Sequence, residues 1–415
     1  MTAPYAPRRD ASPSPAVIAL AGALCLSAAM GIGRFAFTPI LPMMLHDGVI
    51  DLEGGSRLAT ANYLGYLLGA LSCMALPALR RRIGPGFPGS AALVRYGLAS
   101  TTLLTLAMVA TIPPLWAPLR FLAGYVTGIV FVCASGWCLG QLARLGRASL
   151  GGIIYTGPGI GIAVSGLAAS AMASHGQSSA TAWGVFGLLA GFLTLVIWRV
   201  FQGHDAPPPP PVPGRTSESG FYSTEQLLFV LAYGLAGFGY IITATFLPVI
   251  AREALPDSTL SNYFWPVFGF GVIAGALMTR LVPLWIDRRL LLLGCYVIQG
   301  LSILLPLAWP TDAGFVAGSL LLGLPFTAIT FFAMHEARRL RPAQATSLMG
   351  LLTAVYGIGQ IAGPPMVAIL LGRAASHAAG FTLSLEVAAA SLGLGALLYL
   401  LLYRAFPLPT GTASK

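Results

Sequence analysis

Long apolar runs alternate with short polar breaks along the whole chain. Twelve runs stand out, near residues 16–44, 57–78, 89–112, 115–141, 149–171, 180–201, 225–250, 260–284, 288–309, 313–335, 345–371 and 379–403. Most reach the roughly 20 apolar residues that a membrane-spanning helix needs. None shows the two-residue alternation of a transmembrane barrel, the other structure that can satisfy its backbone in lipid. The pattern predicts an all-α integral membrane protein with 12 transmembrane helices. The first run follows Arg8 and Arg9 but contains Arg34, Pro39 and Pro42. A cleaved leader has an apolar core of only about 7–15 residues, so this run is read as a retained first span.

One break is unlike the others. Residues 202–224 hold five consecutive prolines, Pro207 to Pro211, and then a polar Gly/Ser-rich stretch. A stiff polyproline segment followed by a flexible one is linker composition. It divides the chain into an N-terminal six-helix bundle (1–201), a linker (202–224) and a C-terminal six-helix bundle (225–415).

Composition agrees with a lipid environment: 56% of residues are hydrophobic and 9% charged, against about 25% charged in an ordinary soluble domain. The net charge of +10 would suit a nucleic-acid partner, but its placement argues otherwise. With the N-terminus in the cytoplasm, 17 of the 23 basic residues fall in cytoplasmic segments. Three fall outside (Arg57, Arg252, Arg373) and three lie within spans (Arg34, Arg95, Arg120). That asymmetry is the positive-inside signature, and an even number of spans puts both termini in the cytoplasm. The five cysteines all lie in apolar runs, so neither a disulfide nor a metal site is expected. No cofactor is expected either.

The two halves resemble each other. Residues 31–42 align without gaps to 237–248, Asn62-Tyr63 recurs as Asn262-Tyr263, and Gly159-Ile160-Gly161 recurs as Gly357-Ile358-Gly359. Three matches in order at nearly one offset indicate a duplication. Halves with even span numbers keep the same orientation, which gives parallel repeats about an axis along the membrane normal.

Three motifs carry a resemblance to the major facilitator superfamily. Arg120, Gly124 and Gly128 are similar to its span-4 motif, Arg-x3-Gly-x3-Gly. Gly157-Pro158-Gly159-Ile160-Gly161 resembles its span-5 antiporter motif, and Arg80-Arg81-Arg82-Ile83-Gly84 the basic end of its loop 2–3 motif, without the usual Asp. More narrowly, residues 31–42, 62–66 and 237–248 resemble the YbfB/YjiJ-type group of bacterial permeases. The resemblance implies a monomeric secondary transporter of the bacterial inner membrane, working by alternating access and driven by protons. It also implies a coupling role for Arg120 and gating roles for Arg81 and Arg82.

Side-chain chemistry supplies the candidate site. Arginines deep in a span usually face the bundle interior or a water-filled cavity. Arg34, Asn62 and Arg120 fall in the outer half of the first bundle, with Tyr63 beside Asn62; Arg120 would serve in the site or cap helix carbonyls. Arg95, near the end of its span, reads as a snorkelling anchor. Tyr240, Thr243, Asn262, Tyr263, Tyr356 and Gln360 would give the second bundle a neutral polar face. Glu386 is the only acid of 13 placed clearly within a span, as the compensating partner of the arginines, as a proton carrier, or as a bystander kept neutral by burial. A core with more cations than anions favours a small organic anion, because a guanidinium fork matches a carboxylate. The runner-up is proton-driven efflux of drug-like hydrophobic compounds. Gly124 and Gly128 lie on one helical stripe that admits a close neighbour. Pro158 is expected to bend span 5, with Gly157 and Gly161 on a seam that either flexes between bundles or packs statically. No nucleophile–base pair, filter element or nucleotide-binding motif is present, which argues against an enzyme, a channel and an ATP-driven pump.

Overall fold

The computed structural model describes residues 13–202, 223–283, 285–341 and 345–408. The prolines of the linker and the basic residues Arg8, Arg9, Arg215 and Lys415 lie outside them. The described chain is helical: α1 Pro15–His46, α2 Leu52–Ala75, α3 Ser90–Ala107, α4 Pro113–Arg144, α5 Gly157–Ser174, α6 Ser179–Ile197, α7 Thr224–Ala254, α8 Phe264–Met278, α9 Arg288–Ala308, α10 Asp312–Leu340, α11 Ala345–Arg373 and α12 His377–Ala405. Many starts are set by capping side chains: Asp51 accepts from the Gly54 amide, Ser178 from Thr181, and Ser223 forms a reciprocal box with Gln226.

Among the described residues, ten helices are long and apolar enough to cross a membrane. The other two expected spans are shorter than the sequence suggests: α3 has 18 residues and α8 has 15. Pro266 explains the late start of α8. Proline is tolerated in the first turn of a helix but not in its interior, so the helix begins at Phe264 and leaves 259–263 in turns.

α1 and α7 form the centre, with 78% and 72% of their most apolar windows buried. α6, α9, α11 and α12 are buried least, at 39%, 33%, 28% and 39%. The outer faces carry exposed apolar side chains such as Leu103, Leu188, Leu195 and Leu397. Water would not tolerate that much contiguous apolar surface, and lipid does.

Two irregularities matter for the site. α1 is interrupted by a π-helical segment, Ser27–Arg34, followed by a turn at 35–36. Gly31 and Gly33 lower the cost of distortion, and Pro39 has no N–H to give the residues before it. In span 5, the short turn Gly151–Ile154 is separated from α5 by Tyr155-Thr156, and Pro158 stands in the first turn of α5. The expected bend within a continuous helix is therefore a helix start, where a missing N–H costs nothing.

Glycines set the closest approaches. A Cβ on Gly124 would overlap the Asn62 carbonyl, and one on Gly128 the Tyr66 carbonyl; Gly65 and Gly69 of α2 meet the α4 backbone in return. The stripe thus holds α4 against α2 inside the first bundle. Gly124→Ala is expected to force the helices apart at about 1–3 kcal/mol, the usual cost of overpacking, and so to lower the melting temperature of purified protein. Gly136→Ala, on the same helix but facing open space, is the control that should leave the temperature unchanged.

Candidate functional site

The π segment delivers Arg34 to the middle of the molecule, only 2% exposed. Its guanidinium donates to the side-chain carbonyl of Gln360 on α11 at 2.7 Å, a bond between the two bundles. The guanidinium lies 3.8 Å from the ring centroid of Tyr66, 5.1 Å from that of Tyr63 and 5.3 Å from that of Phe35. These are cation–π distances. The Arg34 Nε is buried without a partner, and among the described residues no carboxylate pairs with Arg34.

Gln360 in turn donates to the Tyr240 hydroxyl. Tyr240 stacks on Tyr356 (5.7 Å, 23°), and Tyr356 lies 4.9 Å from Tyr233, which donates to Thr330. Phe326 sets its edge against Tyr240 at 5.2 Å and lies 6.0 Å from Phe35. Two further bonds join the bundles nearby: Tyr63 and Thr245 share a hydroxyl hydrogen bond of 2.8 Å, and Thr38 donates to the Ala244 carbonyl at 2.9 Å. The result is one fork and one amide inside a shell of aromatic rings.

The structure thus brings together Arg34, Tyr63, Tyr240, Tyr356 and Gln360. It places the other candidates elsewhere. Arg120, 2% exposed, donates to the carbonyls of Gly33 and Arg34 at 3.2 and 3.1 Å and packs against Phe37 and Trp183. It fills the donor gap that the broken helix leaves, so of its two expected uses the geometry favours capping over a place in the site. Asn62 donates to the Arg120 carbonyl at 2.9 Å and faces α4. Thr243 faces the inside of the second bundle, beside Leu247, Ser302, Ser319 and Leu385. Asn262 and Tyr263 fall in the turn before α8, because Pro266 delays the helix; Asn262 accepts from Arg252, and Tyr263 is exposed.

Glu386 sits on the exposed face of α12 and not beside the arginines. Glu386→Gln is therefore expected to change transport rate by no more than about twofold, as for a surface position; a measured loss of tenfold or more would return the acid to the mechanism. The buried acid is instead Glu336, 1% exposed within α10 and not in a loop as the apolar pattern suggested. It pairs with Arg339 at 2.7 Å, and Arg339 also pairs with Glu225 at 2.7 Å. Close by, Arg289 binds Asp287 at 2.7 Å and the carbonyls of Leu402 and Phe406. Burial would raise the Asp287 carboxyl, but hydrogen bonds from Arg289 and the charges of Arg289 and Arg339 hold it below the usual carboxylate range.

Gly157 and Gly161 pack on α1 within the first bundle: Ser27 donates to the Gly157 carbonyl at 2.8 Å, and Gly161 lies against Gly31. The seam with the second bundle is on the other face of α5, where Gly159 meets Gly269 and Gly166 meets Trp265 and Pro266. Arg81 and Arg82 are exposed on the short helix Leu76–Ile83. Arg95 is half-buried, 5.4 Å from the Trp198 ring.

Sequence reading missed Tyr66, Thr245, Tyr233 and Phe326. Tyr66 had a signal: it follows Tyr63 by three residues on a helix, so the two rings share a face. Thr245 is two positions from Thr243 and so points to a different side of α7.

A helical membrane protein whose two bundles meet around buried polar side chains has the architecture of a transporter. The chain belongs to the major facilitator superfamily: over residues 26–400 it matches the family described as "Uncharacterised MFS-type transporter YbfB". The fold is similar to that of the nucleoside transporter NupG. A point mutant of that protein gives a TM-score of 0.69 at 12% identity, covering 93% of this chain and 100% of the other; a second NupG structure gives 0.67 at 14%, covering 94% and 99%. It is also similar to a bacterial homologue of the human lysosomal transporter Spinster, in an inward-facing, unoccupied conformation (0.63, 14%, 95% and 98%). No curated protein sequence matches. Family and fold identify a multi-pass membrane transporter and not an enzyme.

Proposed function

We propose that the protein is a secondary active transporter that carries a small organic anion across the bacterial cytoplasmic membrane, coupled to protons. The bundles 1–201 and 225–415, joined by the cytoplasmic linker 202–224, rock about the Arg34–Gln360 junction, so that the site faces each side in turn. The positive-inside count supports cytoplasmic termini, and a single chain completes the site, which suits a monomer.

One observation carries the anionic reading. Arg34 is buried between the bundles with an unpartnered Nε and no carboxylate beside it among the described residues. A buried charge without a counter-ion is costly, and an anionic solute supplies the missing partner. A nucleoside, the solute named for one structural relative, NupG, would not need such a cation. The aromatic shell also suits efflux of hydrophobic drug-like compounds, but that cargo would leave Arg34 unused.

Purified protein in proteoliposomes tests the reading. Organic anions should accumulate when an inward proton gradient is imposed, and a protonophore should collapse the accumulation. Neutral and cationic solutes of the same size should not accumulate. Uphill movement that persists with the protonophore and follows a sodium gradient would remove the proton assignment. Preference for cations or uncharged hydrophobic compounds would remove the anionic cargo.

A further inference from the structure

The bond between Arg34 and Gln360 has the geometry of a ligand contact made by the protein itself. The guanidinium donates to an amide carbonyl at 2.7 Å, the distance and acceptor type that a carboxylate oxygen would offer. An amide is a weaker acceptor than a carboxylate, and it leaves the Arg34 Nε unpartnered although fully enclosed. A carboxylate has two oxygens and accepts two parallel N–H bonds from one fork. Gln360 satisfies half of what the fork can give.

The surroundings narrow the ligand further. Tyr240 and Tyr356 stack at the centre of the molecule, where the interfacial role of tyrosines does not apply. Tyr66 lies against the Arg34 fork itself. Rings that stack on rings accept another planar ring with little loss, since offset-stacked and edge-on aromatic contacts have similar worth.

We propose that Gln360 occupies the anion site of the empty carrier, and that a planar aromatic monocarboxylate displaces it, setting its carboxylate on Arg34 and its ring among Tyr66, Tyr240 and Tyr356. Gln360 is then a specificity-determining residue and a latch between the bundles. It closes the site when no solute is present and is released when the solute takes over the fork. This rests on the anionic reading above.

Binding of benzoate to the purified full-length protein, followed by thermal shift, tests it. Benzoate should stabilise the wild type. Gln360→Ala removes the internal competitor and should reach half-maximal stabilisation at about tenfold lower benzoate, the size of one hydrogen bond to a charged group. Gln360→Met, which keeps the side-chain volume, should do the same and stands in if the alanine variant folds poorly. Gln360→Glu places a permanent carboxylate on Arg34. It should melt higher without ligand and no longer respond to benzoate. Cyclohexanecarboxylate, equal in charge but not planar, should need several-fold more than benzoate. Benzoate affinity unchanged or weakened in both Gln360→Ala and Gln360→Met would overturn the latch, because the glutamine would then be neutral or a solute ligand. Equal response to cyclohexanecarboxylate, or none to benzoate in a wild type that carries other organic anions through Arg34, would overturn the aromatic class and leave the transporter reading standing. Anion transport indifferent to Arg34→Gln would remove the anion site itself.

Discussion

Arg34→Gln is expected to cut anion transport by roughly a hundredfold or more, the usual scale for truncating one partner of a buried charge pair. The folded carrier should remain in the membrane at wild-type abundance. Its melting temperature without solute should hold or rise, because the variant deletes a buried charge that has no counter-ion among the described residues. That pairing of a dead transporter with an undamaged fold separates a solute-binding residue from a structural one. Arg34→Lys keeps the charge but loses the planar fork and its stacking on Tyr66, so intermediate activity is expected. Counterflow and initial-rate uptake in proteoliposomes measure both variants, and size-exclusion chromatography with a melting curve reports the fold. Wild-type uptake in Arg34→Gln would sink the anionic site.

Arg120→Ala should behave in the opposite way. The side chain holds the carbonyls of Gly33 and Arg34 where α1 breaks, and it fills space between Phe37 and Trp183. Removing it leaves two buried carbonyls unsatisfied, at about 1–3 kcal/mol each, and a cavity in addition. A loss of about 3 kcal/mol or more is expected from these two effects together, seen as a lower melting temperature and less folded protein. Exchange and uphill transport should fall together, because Arg34 loses the backbone platform that aims it. The span-4 motif resemblance assigns this arginine to proton coupling instead. A variant that folds normally, exchanges solute and has lost only uphill accumulation would support that assignment against the structural one.

The contrast between the two arginines shows where sequence reading stops. Both are single cations in apolar runs, and both sit in the outer half of the first bundle by counting along their helices. Their roles differ because one side chain points across the bundle interface and the other back into its own bundle. Helical spacing gives the face of a residue relative to its own neighbours, but not the identity of the element packed against it. Glu386 makes the same point. Depth along a helix is countable, but rotation about its axis decides whether the carboxylate meets Arg34 or the exposed surface. Asn262 and Tyr263 fail for a local reason that was readable: Pro266 marks the start of α8 and strands them in a turn.

What the sequence by itself determined is what depends on composition and period. The apolar runs specify membrane helices because an unsatisfied backbone is intolerable in lipid. Three matches in order at nearly one offset, residues 31–42 to 237–248 among them, point to a duplication, and the motif around Arg120, Gly124 and Gly128 points to the superfamily. Arg34 and Gln360 were both legible as buried polar candidates. Only the tertiary structure decided that these two, 326 positions apart, bond to each other while Arg120 and Asn62 serve the packing of α1, α2 and α4. The π segment that aims Arg34 also exposes the carbonyls that Arg120 must cover. That exchange of hydrogen bonds between helices is set by how the bundle closes, and no one helix encodes it alone.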